Sequence, residues 1–291
     1  MLSIDPVAFR VFGFDIYWYA LAYIVGILLG FRCVLLANRF LGSPFSENTL
    51  EPFLNWAVLG ILVGGRLGHV LYEPALFWEH PEHIFAIRQG GMSFHGGFLG
   101  VLLSAWLFSR RRHLDFWRLM DLLAVGTPVG LLLGRCANFI NGELYGHPTT
   151  MPWGIVFPRG GPEPRHPSQL YEALFEGLIL GALLLVLARL RGSALAPGRL
   201  AGWFAMGYGV FRIALEQFRA LDSAFNEQVF EVLHMSLGQA LTLPLLLMGW
   251  YLLRREHHEP QTEALPTERE TKKPPPRDAK PPHGRYKAES E

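Results

Sequence analysis

The chain has 291 residues and a formal net charge of +1. Half of it is hydrophobic and 18% is charged, against about 25% charged in soluble domains. That balance excludes a polyanion-binding surface of the kind nucleic acid requires and points instead to a membrane. Two cysteines, Cys33 and Cys136, lie far apart within apolar stretches, so no disulfide framework is expected and both are read as small buried hydrophobes.

Met1 to Tyr17 lacks the basic start, apolar run and small-residue cleavage site of a secretory leader, so no cleaved leader is expected. Seven apolar runs follow, on the scale of the roughly 20 residues that cross about 30 Å of hydrocarbon, the third, fourth and sixth of them short. They lie at Tyr17 to Ala37, Phe53 to Tyr72, Phe94 to Phe108, Leu119 to Leu133, Gln169 to Leu190, Leu200 to Leu215 and Met235 to Leu253. The expected fold is therefore an all-α polytopic bundle of about seven transmembrane helices. Arg39, the group Arg110, Arg111, Arg112 and Arg118, the group Arg189, Arg191 and Arg199, and the pair Arg254 and Arg255 fall between alternate spans. Basic loops stay cytoplasmic, which puts the N-terminus outside and the C-terminus in the cytoplasm. The opposite loops carry Glu73, Glu79, Glu82, Asp222, Glu227 and Glu231.

Between spans four and five, about 138–168 is rich in Gly, Pro and polar residues and is expected to form a small external head. Residues 1–255 then make up a transmembrane catalytic domain. Residues 256–291 hold every lysine and the run KKPPPRDAKPPHGR, and read as a disordered cytoplasmic tail.

Ionisable groups at bilayer depth survive only when paired or lining a polar cavity, which makes each a functional candidate. Arg66 follows two glycines in the second span. His95 opens the third in GMSFHGGFLG, Arg135 closes the fourth in GRCANFINGELYG, and Arg212 and Glu216 lie in the sixth in GYGVFRIALEQFR. Tyr208, Arg212 and Glu216 are spaced by four and share a helix face. An Arg212–Glu216 pair locking helices together is one reading. A phosphate held by Arg135 and Arg212 is the other, since guanidinium binds phosphate bidentately.

Gly96, Gly97 and Gly100 beside His95 admit either a ligand or a close-packed neighbouring helix, and His95 suits a general base near neutral pH. In RHPSQLYEA, Pro167, Ser168 and Glu172 read equally as the start of a capped helix. Asn138, Glu143 and Arg135 form a denser polar cluster than the Asn141-Gly142 turn requires. Zinc, P-loop, dinucleotide and serine-elbow motifs are absent, Ser93 lacks nucleophile flanks, and neither metal nor cofactor is expected.

HGGFLG, GRCANFINGELYG, RHPSQLYEA and GYGVFRIALEQFR together resemble bacterial prolipoprotein diacylglyceryl transferases, and the likeness runs from Tyr17-Trp18-Tyr19 to the seventh span. The resemblance implies transfer of the diacylglyceryl group of phosphatidylglycerol to the lipobox-cysteine thiol of a prolipoprotein signal peptide. Glycerol 1-phosphate is released, and lipoprotein maturation begins. It implies a bacterial inner-membrane enzyme without cofactor, surrounded by membrane lipids, with its active site toward the outer leaflet and no nucleic-acid partner. Arg135 and Arg212 would grip the phosphate, and Asn138 and Glu143 would orient the headgroup. His95 would deprotonate the cysteine or only position substrate, and Tyr19, Tyr208, Gly146 and Glu216 would complete the site. Two departures stand out: Cys136 replaces a small or apolar residue, and the stretch from Gly146 to Arg165 is short. The main alternative from another class is a transporter for an anionic solute, which also suits buried arginines and glycine-rich helices.

Overall fold

The computed structural model describes residues 4–72, 79, 81–85, 91–220 and 234–255. The chain divides into Met1–Arg255 and Glu256–Glu291. The second unit, the expected tail, lies outside the described residues, as do Glu73, Asp222, Glu227 and Glu231 of the expected outer loops.

The expectation of an all-α fold needs one correction, at the N-terminus. β1 (Val7–Val11) and β2 (Phe14–Tyr17) pair antiparallel. Alternating β-branched and aromatic residues favour strands, and Phe12 and Gly13, both at positive φ (49° and 82°), make the tight turn that joins them.

The long helices among the described residues are α1 (Trp18–Phe40), α2 (Glu47–Tyr72), α3 (Phe94–Arg112), α4 (Phe116–Asn141), α5 (Ser168–Ala194), α6 (Arg199–Glu216) and α7 (Leu237–Arg254). Each coincides with one of the seven apolar runs. Four of them, α1, α2, α4 and α5, are long and apolar enough to cross a membrane. Large apolar side chains face outward, with Leu247 68%, Leu99 61% and Leu59 60% exposed, whereas Asp121, Glu172 and Glu176 are wholly buried. This inversion of the soluble pattern marks a helical membrane protein.

Helix approach is set by glycine. Cβ atoms at Gly64 and Gly96 would come within 2.9 Å and 2.8 Å of the Cα atoms of Gly100 and Gly68 respectively, so α2 and α3 meet backbone to backbone as small-residue interfaces do. The glycines after His95 therefore serve helix packing. Gly30 and Gly126 do the same between α1 and α4, where a Cβ on Gly30 would lie 3.1 Å from the Gly126 carbonyl oxygen.

Buried polar side chains close the connections. Arg66 donates from Nε to the Ile84 carbonyl (2.9 Å), from a terminal nitrogen to the Gly91 carbonyl (2.8 Å), and also to the carbonyl of His83. It ties down the chain between α2 and α3. Asn38 bonds both polar groups of the Phe45 backbone at the α1–α2 turn. Ser93 caps α3, accepting from the Gly96 N–H at 3.2 Å.

Asp121, near the start of α4, accepts the N–H groups of Gly198 (2.8 Å) and Ala201 (3.0 Å). A neighbouring helix thus satisfies the orphan donors that open α6. Arg118 stands 3.6 Å from Asp121 and donates to the Leu195 carbonyl, while Arg199 donates to the carbonyls of Leu253 and Arg255. The arginine-bearing ends of α4, α5, α6 and α7 are thereby gathered at one end of the bundle.

Candidate active site

At the other end, α4, α5 and α6 converge on Glu172. Arg135 from α4 approaches Glu172 Oε2 with Nε at 2.9 Å. Arg212 from α6 and Arg219, just beyond it, donate to Oε1 at 2.8 and 2.9 Å. Three guanidinium groups thus share one carboxylate that has no access to water. Arg212 also pairs with Glu216 at 2.7 Å, with Arg219 Nε 3.8 Å from the same oxygen. Glu216 in turn accepts from Ser236 Oγ at 2.6 Å. Ser236 and Gln239 form a capping box that starts α7, and a Cβ on Gly238 would stand 2.6 Å from the Arg212 guanidinium. The first turn of α7 therefore leans directly on the cluster.

The local fold explains why α5 delivers two carboxylates. Within α5, Ala173–Ile179 is a π-helical segment, a widened turn that recurs at functional sites. It lies where the chain crosses α4, and a Cβ on Gly177 would come within 2.7 Å of Leu132 Cβ. Glu172 precedes the widened turn and Glu176 lies in it, and both are fully buried. Neither oxygen of Glu176 has a hydrogen-bond partner among the described residues. It interacts electrostatically with Glu172, Arg135, Arg212, Arg219 and Tyr208.

One turn beyond Arg135 on α4, Asn138 donates to Glu143 Oε1 at 2.8 Å and Asn141 to the same atom at 3.4 Å. Gly142, at φ 64°, ends α4 in the left-handed conformation. The helix runs to Asn141, so the non-helical stretch is 142–167. That stretch is folded: Phe157 is wholly buried and stacks on Tyr145 at 5.3 Å, and Arg165 donates to the carbonyls of Gly160 (2.7 Å) and Gly146 (3.2 Å). Bridges join Gly146 to Arg219, and Pro148 and Ile155 to Arg165. The first of these fastens the stretch to the arginine cluster.

Of the residues singled out from sequence, Arg135, Arg212 and Glu216 are brought into direct contact, and the internal Arg212–Glu216 pair is present. Asn138 and Glu143 form an adjoining group. Tyr208 stacks on Phe204 at 5.9 Å and is in electrostatic range of Arg135 and Arg212. His95, exposed at the start of α3, makes an edge contact with Phe94 at 5.6 Å and feels the charge of Arg212. Gly146 donates its N–H to the His166 carbonyl at 2.9 Å, and a Cβ there would collide with His166 and the Phe218 carbonyl. Tyr19 pairs with Tyr23 at 5.1 Å along α1 and has no direct contact with the arginine cluster. Cys136, like Cys33, is a free thiol.

Two readings change. Ser168 does not cap α5, which has no side-chain cap; its hydroxyl donates to the Leu144 carbonyl at 3.1 Å. Glu172 is no capping residue but the hub of the cluster. Sequence reasoning also passed over Glu176, Arg219 and Ser236. Glu172 and Glu176 were discoverable as two carboxylates spaced by four inside an apolar span, and Arg219 as a second arginine two turns after Arg212.

Chemically, the arrangement is a water-poor cluster of guanidinium groups, a residue type suited to anions, with one more accessible member. The Arg135 side chain is 18% exposed, against 10% for Arg212 and 9% for Arg219, so an arriving anion meets Arg135 first.

The prolipoprotein diacylglyceryl transferase family model matches residues 6–255. Curated proteins named phosphatidylglycerol–prolipoprotein diacylglyceryl transferase are similar along most of their length. The one from Zymomonas mobilis is 44% identical over 262 residues, covering 87% of this chain and 90% of its own. That of Rhodospirillum rubrum is 47% identical over 250 residues, 85% and 90% respectively. That of Roseobacter denitrificans is 42% identical over 283 residues, 88% and 96%.

Proposed function

The chain belongs to the prolipoprotein diacylglyceryl transferase family, and from that premise we propose how its arginine cluster performs the family's reaction. The protein is a membrane transferase that moves the diacylglyceryl group of phosphatidylglycerol to a prolipoprotein, the first step of lipoprotein maturation, in the bacterial inner membrane. Transport of an anionic solute is not favoured, because the curated relatives are named for group transfer.

The acceptor is the thiol of the lipobox cysteine. Its thiolate attacks the glyceryl carbon that bears the phosphodiester. A C–S bond forms and the C–O bond breaks, and the bonding pair leaves on oxygen as glycerol 1-phosphate. Negative charge grows on the phosphate as that bond breaks, so cations already in place where water is excluded lower the barrier. The observation that carries this reading is the convergence of Arg135 and Arg212 on Glu172. Fixed by a shared carboxylate, the guanidinium groups need no reorganisation when the lipid arrives.

Arg135 grips the phosphate from the more open side and Arg212 from the buried side, with Glu216 holding Arg212 in its orientation. Asn138 and Glu143 meet the headgroup hydroxyls one turn above Arg135, and Gly146 lets the chain at His166 and Phe218 pack close beside them. Tyr208 and Tyr19 line the lipid path. His95 takes the thiol proton; alternatively the arginine field lowers the thiol pKa enough that His95 only positions substrate.

A seven-span arrangement with the N-terminus outside and the basic ends in the cytoplasm follows the positive-inside rule and turns the cluster and the stretch 142–167 toward the outer leaflet. Support comes from the gathering of the Arg118, Arg199 and Arg255 ends on the side away from Glu172.

The test is to incubate purified protein in liposomes with phosphatidylglycerol and a lipobox peptide, and to read the peptide by mass spectrometry. The wild type adds a diacylglyceryl mass to cysteine, Arg135→Ala does not, and the His95→Ala rate assigns the base. A folded wild type that leaves lipid and peptide unchanged overturns the reading.

A further inference from the structure

Glu176 is a buried carboxyl at the site to which the transferase mechanism gives no task. Its position is restrictive: it is wholly buried in the π segment of α5, with neither carboxyl oxygen hydrogen bonded among the described residues. An ionised carboxylate in such a place costs several kcal/mol unless it is paired. The groups facing it are Arg135 on α4, Glu172 on α5, Tyr208 and Arg212 on α6, and Arg219 beyond α6.

Counting charge clarifies what Glu176 controls. Arg135, Arg212 and Arg219 bring three positive charges. Glu172 and Glu216, in direct ion pairs, bring two negative ones, leaving one net positive charge. That equals and opposes the single negative charge of a phosphodiester. With Glu176 ionised as well, the cluster is neutral and has no net attraction for an anionic headgroup.

We propose that Glu176 is a positioning residue that acts through Arg135 and Arg212 to match the charge of the cluster to the lipid phosphate: neutral Glu176 admits a phosphate monoanion, and ionised Glu176 rejects it. The inference rests on the transferase reading above and deepens it, since it makes selection of a monoanionic phospholipid a property of one carboxyl that need not touch the lipid. Glu172 cannot serve in this way, because both of its oxygens are committed to guanidinium groups.

The experiment measures KM for phosphatidylglycerol and kcat at saturating lipobox peptide. It uses full-length wild type, Glu176→Gln and Glu176→Met in phosphatidylcholine liposomes, from about pH 5.5 to about pH 8.5, where buried carboxyls titrate. The wild-type KM is expected to rise about tenfold or more across the range, the effect of one added charge on a bound anion. In both variants KM stays flat, within about twofold of the wild-type value at the acid end. Titration of His95 and of the peptide thiol is common to all three proteins and cancels in the comparison.

Parallel KM profiles in wild type and variants overturn the proposal, and so does a folded Glu176→Gln protein whose KM is raised at every pH. An inactive wild type overturns the transferase reading itself, a distinct result. Should neither variant fold, infrared difference spectra of the wild type decide. A carboxylic-acid carbonyl band gained on adding phosphatidylglycerol supports the proposal, and its absence overturns it.

Discussion

Helices α4 and α6 are joined by buried charge at both ends, and the two junctions are built to different rules. Where α6 begins, both oxygens of Asp121 accept backbone N–H groups, from Gly198 and Ala201, with Arg118 close by. Where α6 ends, Arg212 and Arg219 crowd with Arg135 onto Glu172, and neither oxygen of Glu176 is hydrogen bonded among the described residues. At the first junction the carboxylate is fully engaged: it meets donors that would otherwise go unmet, which is what a structural polar group does. The second carries more charge than holding three helices together requires. That excess is what the proposed phosphate-binding role would use.

Glu172→Ala should break this contrast most severely. It strips three buried arginines of their shared partner, a loss of about 3–5 kcal/mol by analogy with other broken buried pairs. Peptide lipidation should fall by about a thousandfold, and the thermal midpoint in detergent should fall with it. Arg135→Ala sharpens the contrast. Glu172 keeps Arg212 and Arg219, so the thermal midpoint should fall less than in Glu172→Ala while lipidation drops by about a hundredfold to a thousandfold.

Asp121→Ala should do the reverse. Leaving the N–H groups of Gly198 and Ala201 unmet should cost about 2–4 kcal/mol, read as a lower thermal midpoint. The kcat of the protein that remains folded should be unchanged, because Asp121 is remote from the cluster: the 14 residues from Asp121 to Arg135 span about 21 Å of helix. The smallest effect belongs to Ser236→Ala, which removes the α7 cap and the hydroxyl on Glu216. About 1 kcal/mol of stability should be lost, together with a severalfold rise in KM for phosphatidylglycerol as Arg212 loosens. Unchanged KM there would show that α7 does not brace the site.

Much of this was legible in the sequence because it follows from local pattern. Each apolar run marked one of the seven long helices among the described residues, since a chain in hydrocarbon must satisfy its own backbone. The short runs were under-read at polar ends: α4 continues through Arg135 to Asn141, and α3 through Arg112, because helix hydrogen bonding does not stop where hydropathy does. The β1–β2 hairpin was missed, as nine residues in two strands beside a strong helix signal leave little periodicity to read.

At the site, Tyr208, Arg212 and Glu216 could be placed on one face from spacing alone, and the pair within it followed. Arg135 and His95 stood out as costly charges in apolar surroundings. Spacing could not choose between the two uses of the glycines beside His95; the row Gly60, Gly64 and Gly68 on the opposing helix settled it in favour of packing.

The sequence by itself determined the elements, the charged residues that a membrane makes expensive, and the family to which the chain is similar. Those depend on neighbours a few residues apart and on motifs read in order. Only the tertiary structure decided what the charges do together. Arg212 and Arg219 reach Glu172 across 40 and 47 residues of chain, so one residue of RHPSQLYEA that reads as a helix start becomes the hub of the site. Partner choice among buried charges is set by which helix faces meet and by where a widened turn aims them. That geometry has no period a sequence can display.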